Sequence, residues 1–259
     1  MTSPTSPQPV TEQHNQYNLA GRVALVTGAL GGLGPAICQV FAQGGATVVG
    51  VAGESHGDLA GALAELRGAL SLADGSRLTL KKADLLDEAQ VARLVSEVVS
   101  EQGRLDIAVN TVGGYAAGQP VAELSAETWD RMLALNARTA FLVSKHVAAP
   151  MINQQWGRII SISSRAAHSG RRNAAAYAVA KQAIITLTET QAEELRDARV
   201  TVNAVLPSII DTPANRRAMP NADTSRWPTP EQVARVIAFL ASDDAGLING
   251  AAIPVYGLA

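Results

Sequence analysis

"VALVTGALGGLGPAI", residues 23–37, decides the fold. An apolar, β-forming run ends in a turn that carries Gly28, Gly32 and Gly34 at G-x-x-x-G-x-G spacing, and a helix-compatible run follows directly. Glycines at such a turn let the backbone approach a pyrophosphate with no Cβ in the way, while the helix N-terminus supplies N–H donors and a positive dipole. Pro35 falls in the first helical turn, where a missing N–H costs nothing. Strand, glycine turn and helix in that order imply a dinucleotide-binding βα unit. A P-loop is excluded, because no Lys-Ser or Lys-Thr follows the glycines.

Working outward, short apolar runs alternate with helix-period runs to the end of the chain: "ATVVGVAG", "LTLKKAD", "IAVNTVGG", "GRIISISS", "VTVNAVLP" and "GAAIPVYG". This alternation predicts an α/β fold with one doubly wound parallel sheet and helices on both faces. Strands buried on both faces should be almost wholly apolar, as "VALV" and "VNAVL" are. Ligands of such a sheet bind at the carboxyl ends of its strands.

The chain of 259 residues is 47% hydrophobic and 17% charged, with net charge -2, a globular composition without the basic footprint of a nucleic-acid binder. Residues 1–18, rich in Pro, Ser, Thr and Gln, read as a disordered tail with no targeting pattern; residues 19–259 read as a single domain. A cytoplasmic location follows as an expectation, and no apolar run is long enough for a membrane span. The lone Cys38 excludes an internal disulfide and reads as packing. His56 and His146 lack partners at metal spacing, so no metal is expected.

An acidic residue at the end of the second strand would hold the ribose 2′-OH of NAD, and a basic one would accommodate the 2′-phosphate of NADP. Position 52 is Ala52, which is neither, and Gly31 is not basic. The cofactor reading is therefore NAD or NADP, leaning to NADP because nothing acidic occupies position 52.

Tyr177 and Lys181 lie four apart on a predicted helix and share one face. A phenol is a poor acid or base near neutrality, and a neighbouring ammonium would draw its pKa down. Ser164, at the end of the preceding strand, is placed to hold a substrate oxygen on which charge develops; Ser161 and Ser163 compete for that role but read as packing groups.

These motifs together resemble the classical short-chain dehydrogenase/reductase family from about Arg22 to Ala259. "TGALGGLG" is similar to its cofactor turn, "NTVGG" at 110–114 to its N-x-A-G segment with Val112 in place of alanine, and Asn136, Ser164, Tyr177 and Lys181 to its catalytic set. The resemblance implies a Rossmann-type domain and an NAD(P)-dependent oxidoreductase acting on a ketone or secondary alcohol. Tyr177 would transfer the proton, Ser164 would hold the substrate oxygen, Lys181 would bind the nicotinamide ribose, and Asn136 would extend the proton path through a water.

The same resemblance implies that Leu30, Gly31 and Leu33 line the cofactor turn, that Ala52 and Gly53 face the adenosine ribose, and that Asp84 and Leu85 contact the adenine. Asn110, Val112 and Gly113 would flank the nicotinamide ribose with Tyr177 and Lys181, and Pro207, Ile210 and Thr212 would meet the nicotinamide. It also implies a homotetramer or homodimer.

"LPSIIDTPANRRAMPNADTSRW", residues 206–227, then becomes the substrate lid, spanning about 207–229. Tyr115, His168, Ser208 and Met219, with Ser164 and Tyr177, are the expected substrate contacts, and Trp227, Arg216 and Arg217 are expected to tune preference. Ser208 stands where the family has glycine, and Tyr256 where it has aspartate. The lid wording and "GGYAAG" at 113–118 also resemble dihydropteridine reductases, which keeps reduction of a quinonoid or cyclic imine-like compound as an alternative. A non-catalytic dinucleotide-binding protein is the third reading.

Overall fold

The structure is a computed structural model that describes residues 17–69 and 77–258. The strands are β1 (Val23–Thr27), β2 (Thr47–Ala52), β3 (Leu78–Lys82), β4 (Ile107–Asn110), β5 (Gly157–Ile162), β6 (Val200–Pro207) and β7 (Ala252–Val255). They form one sheet in the order β3-β2-β1-β4-β5-β6-β7, and every neighbouring pair is parallel. The chain winds outward from β1 to β3, then crosses back to lay β4 on the other side of β1. The loops after β1 and β4 diverge at that switch point, which opens the crevice where such sheets take their ligands.

Six longer helices cover the faces: α1 (Gly34–Gln43), α2 (Leu59–Ala69), α3 (Glu88–Gln102), α5 (Thr139–Gln154), α7 (Ala175–Leu195) and α9 (Pro230–Ala241). Alternate strand residues supply the two faces. Ala24, Val26, Val48 and Val109 pack with Ile37 and Phe41 of α1 and Val233 and Ile237 of α9. Leu25, Val49, Val51 and Ala108 pack with Val91 and Leu94 of α3 and Val143 and Val147 of α5. Both sets are apolar, which is why these strands read as unbroken hydrophobic runs. Cys38 lies in the first cluster with no exposure, and burial pushes its thiol up to about 12, so it is the packing residue expected.

The short helices α4 (Ala126–Leu133), α6 (Arg165–Ser169) and α8 (Pro213–Ala218) complete the set; α6 and α8 follow β5 and β6 at the carboxyl edge. Most of the tail expected over 1–18 lies outside the described residues. Its last two residues are held against the domain: the Tyr17 ring lies 6.0 Å from that of Phe239, and Asn18 Oδ1 accepts from the Ala20 N–H. Among the described residues, no helix is long and apolar enough to cross a membrane, and no group of His, Cys, Asp or Glu could hold a metal ion.

Candidate active site

The glycine turn after β1 is shaped by close backbone packing. Gly28 has φ +62, and a Cβ on Gly34 would stand 2.2 Å from the Gly28 carbonyl oxygen and 2.6 Å from Ala29 Cα. Helix α1 can start this close to the turn only with glycine at position 34. Its N-cap residue Leu33 offers no side-chain cap, which leaves the first N–H groups of α1 for an anion. Gly31 and Gly32 are exposed, Leu30 is half-buried and Leu33 is buried. The donors, the missing Cβ atoms and the uncapped terminus fit a pyrophosphate.

Two threonines that the motif reading passed over pin this turn to the switch point. Thr27 Oγ1 donates to the Val109 carbonyl and accepts from the Thr111 N–H at 3.0 Å, while Thr111 Oγ1 donates back to the Thr27 carbonyl. Thr111 Oγ1 would be only 2.6 Å from a Cβ on Gly28. The threonine preceding the first glycine and the one following Asn110 were the available signal.

Thr212 comes to the turn from the other side. It caps α8 through Asn215 N–H, and its Cγ2 would lie 3.1 Å from a Cβ on Gly32. The start of the lid thus rests on the glycine turn, with Pro207 buried at the end of β6 and Ile210 packed on the core below.

The residues expected to do chemistry gather beside this crevice. Ser164 follows β5 and caps α6 by accepting from the Ala166 N–H at 3.2 Å; its hydroxyl lies near enough to Tyr177, in the first turn of α7, to pull that phenol's pKa down. Lys181 is 4% exposed, lies one turn further along α7, and donates from Nζ to the Ile162 carbonyl at 2.8 Å. Asn136 is fully buried, donates through Nδ2 to the Gly114 and Met132 carbonyls, and accepts from the Gly114 N–H. It sits in a π-helical turn, Ala134–Arg138, between α4 and α5, a distortion frequent at functional sites and invisible in the sequence. Gly113 completes the floor: a Cβ there would stand 2.6 Å from Asn136 Oδ1 and 3.1 Å from Lys181 Nζ.

The electrostatics differ from expectation in one respect. Burial holds the Tyr177 phenol above its ordinary range, the nearby Ser164 hydroxyl opposes this, and Tyr115 adds to the rise. Burial also acts on Lys181, bringing its ammonium down to about 8. Helical spacing correctly predicted the pair, but the same burial weakens the charge meant to lower the phenol. Lys181 Nζ is 5.9 Å from the Tyr177 ring centre and turned to the Ile162 carbonyl.

Other expected residues divide. Tyr115 is 59% exposed and meets Tyr177 edge to face, ring centres 5.0 Å apart. Asp84 is exposed at the end of β3 with Oδ1 accepting from the Leu86 N–H, and Ala52 is buried at the end of β2 beside exposed Gly53. Leu85 and Val112 belong to the core on the α3 face.

Asn110 does not turn to the crevice: its Nδ2 donates to Ser144 and Ser161 at 3.0 Å each, tying β4 to α5 and β5. Ser161 and Ser163 are buried and bonded inward, the latter to the Lys181 carbonyl, as packing serines should be. Trp227, expected to tune preference, is 8% exposed and packs at the lid's base; Arg216 is tied to Asp211. Met219 ends α8 half-buried, Ser208 donates to the Tyr256 carbonyl at 2.7 Å, and His168, Arg171 and Arg172 are exposed.

Comparison with known proteins agrees with this layout. Residues 22–223 match the short chain dehydrogenase family. The chain is 34% identical over 248 residues to the 3-oxoacyl-(acyl-carrier-protein) reductase FabG of Thermotoga maritima, covering 92% of this chain and 98% of that one. It is 34% identical over 250 residues to the D-threitol dehydrogenase of Mycolicibacterium smegmatis, covering 93% and 94% respectively. A short-chain type dehydrogenase/reductase from Mycobacterium ulcerans superposes with a TM-score of 0.86 at 32% identity, covering 93% of this chain and 90% of that one. With its switch-point glycine turn, its seven parallel strands and relatives matched nearly end to end, the chain belongs to the short-chain dehydrogenase/reductase family of oxidoreductases.

Proposed function

We propose that this protein is an NAD(P)-dependent reductase of a ketone, or dehydrogenase of the corresponding secondary alcohol, with Tyr177 as the proton-transferring group. The observation that carries the reading is the gathering of Ser164, Tyr177 and Lys181 at the ends of β5 and α7, with the Lys181 ammonium buried 5.9 Å from the Tyr177 ring centre and Ser164 close enough to act on the phenol. When bound, the nicotinamide supplies or accepts the hydride.

The chain's own residues do the rest. Gly28, Gly32 and Gly34 with the N-terminus of α1 would hold the pyrophosphate, Asp84 would meet the adenine, and Thr212 and Ile210 would meet the nicotinamide end. Ser164 Oγ orients the carbonyl oxygen while Tyr177 Oη delivers its proton there. The raised phenol pKa keeps that proton in place at neutral pH, which suits Tyr177 to act as the acid of carbonyl reduction. Lys181 binds the ribose and, with Asn136, resupplies the proton. Of the two cofactors NADP is favoured, because Ala52 places no carboxylate at the ribose.

A homotetramer or homodimer is part of the same proposal. Val179, Ala183 and Leu187 share one face of α7, and beside them half-exposed Phe141 of α5 borders a cleft of about 500 Å³. A groove of this kind between two surface helices, lined also by Glu88 and Arg138, suits a second copy.

The test is nicotinamide absorbance with NADPH and NADH against a panel of ketones, secondary alcohols and a quinonoid dihydropteridine. Turnover of a ketone that collapses in Ser164→Ala is expected. Turnover of the pteridine alone, retained in Ser164→Ala, would favour the imine-like substrate instead. Tight cofactor binding with no turnover of any compound would favour a non-catalytic protein.

A further inference from the structure

Position 52 holds no charge, but its neighbour across the sheet does. Ala52 is paired with Lys82 in the β2–β3 register, so the two Cα atoms stand about 4.8 Å apart. Their side chains leave the sheet on the same face. Val48, four pairs earlier and so on the same face, lies in the core against α1, and a Cβ on Gly50 would meet Ala29 Cβ and Leu80 Cδ2 at 2.7 Å each. Ala29 belongs to the glycine turn. The row Val48, Gly50, Ala52 on β2 and Leu80, Lys82 on β3 thus runs along the face that carries the cofactor turn, and Lys82 ends it at the carboxyl edge.

The adjacent lysine sharpens the point. Lys81 points to the opposite face, where Glu97 at 3.0 Å and Glu101 at 2.6 Å neutralise it against α3. Lys82 has no ion pair among the described residues. Its Nζ donates to the Gly57 carbonyl at 3.2 Å, which sets the ammonium over the loop 53–57 that follows β2. That loop is where the adenosine ribose of a bound dinucleotide falls. It offers exposed Ser55 and His56 as further polar groups, and one carboxylate, Glu54.

We infer that Lys82 is the cofactor-specificity residue, its ammonium recognising the 2′-phosphate of NADP from β3 in place of a basic residue at the end of β2. The inference rests on the nicotinamide reading of the crevice. A phosphate dianion gains a charge-assisted hydrogen bond there, whereas a free 2′-OH gains little. The ammonium need only swing from the Gly57 carbonyl, and Lys82 is exposed, so its replacement leaves the core intact.

The experiment titrates the full-length protein with NADPH, NADH, 2′,5′-ADP and 5′-AMP, followed by nicotinamide fluorescence and calorimetry. Wild type is expected to prefer the 2′-phosphorylated member of each pair. Lys82→Ala is expected to weaken NADPH and 2′,5′-ADP about tenfold or more, leave NADH and 5′-AMP within about twofold, and be rescued by Lys82→Arg. Equal weakening of all four ligands would assign Lys82 to propping the 53–57 loop and overturn the inference. Preference for NADH, lost in Glu54→Gln and untouched in Lys82→Ala, would overturn it in favour of a ribose diol held by Glu54. If wild type binds none of the four, the nicotinamide reading itself fails and takes this inference with it.

Discussion

The floor of the crevice and the lid above it are held in opposite ways. On the floor, hydrogen bonds join residues far apart in sequence: Asn136 to Gly114, Lys181 to Ile162, Ser163 to Lys181, all on buried groups. In the proposed lid most side-chain bonds are local and none is fully buried: Asn215 to Thr212 and Ile210, Arg216 to Asp211, Ser225 to Asp223, with Ser208 to the Tyr256 carbonyl as the long-range tie at its start. A floor bond tests the whole fold, so its loss is felt at a distance. A lid bond holds a few residues that can open and reclose. On the proposed function, the chemistry would sit where the structure is tied across the fold, and substrate choice where the ties are mostly local.

Substitutions on the floor should break this contrast with the largest effects. Gly34→Ala drives a Cβ into the Gly28 carbonyl and Ala29, which are backbone and cannot swing away. Chemical denaturation should record a loss of about 3 kcal/mol or more, together with loss of cofactor binding. Asn136→Ala strips partners from the half-buried Gly114 N–H and carbonyl and from the Met132 carbonyl, an expected loss of about 1 to 3 kcal/mol by the same measurement with turnover lowered.

Lys181→Met sharpens the comparison by reversing sign. Lys181 titrates at about 8 in the fold against 10.5 ordinarily, so below pH 8 the native state bears a buried ammonium that the unfolded chain solvates freely. Between pH 8 and 10.5 the folded lysine has released its proton and the unfolded one has not, so wild-type stability rises with pH across that window. The orphaned Ile162 carbonyl partly offsets the gain of Lys181→Met. The variant should be about 1 to 2 kcal/mol more stable than wild type at pH 7, lose this advantage towards pH 10.5, and be inactive. Thermal midpoints across that pH range check it.

The smallest stability effect belongs to the lid. Arg216→Gln removes an exposed pair that holds Asp211 below the usual carboxylate range. The thermal midpoint should stay where it was while KM shifts and kcat changes little. A Tm drop as large as that of the floor variants would erase the distinction between the two regions.

The inner strands were legible because burial on both faces leaves apolar runs with no alternation to misread, the half-buried edge strands β3 and β7 from their place in the strand–helix alternation, and the glycine turn because its spacing answers a steric demand. Tyr177 and Lys181 were legible from helical period. What escaped depends on which way a side chain turns once the sheet is assembled. Asn110 ends a strand beside the crevice, yet its amide faces α5; Trp227 lies in a polar segment, yet is buried. The π turn at Asn136 has a sequence like that of any helix, and the strength of the Lys181 charge depends on burial supplied by β5 and the 113–114 loop. Lys82 lies thirty residues from Ala52, and only the β2–β3 register makes them neighbours.

The central claim, that Tyr177 transfers the proton on a floor that binds cofactor independently of it, is tested most directly by Tyr177→Phe. Turnover and cofactor affinity should be measured on one preparation. The account predicts kcat lower by about 10²-fold or more with cofactor affinity and thermal midpoint near wild type. Turnover close to wild type in that variant would contradict it.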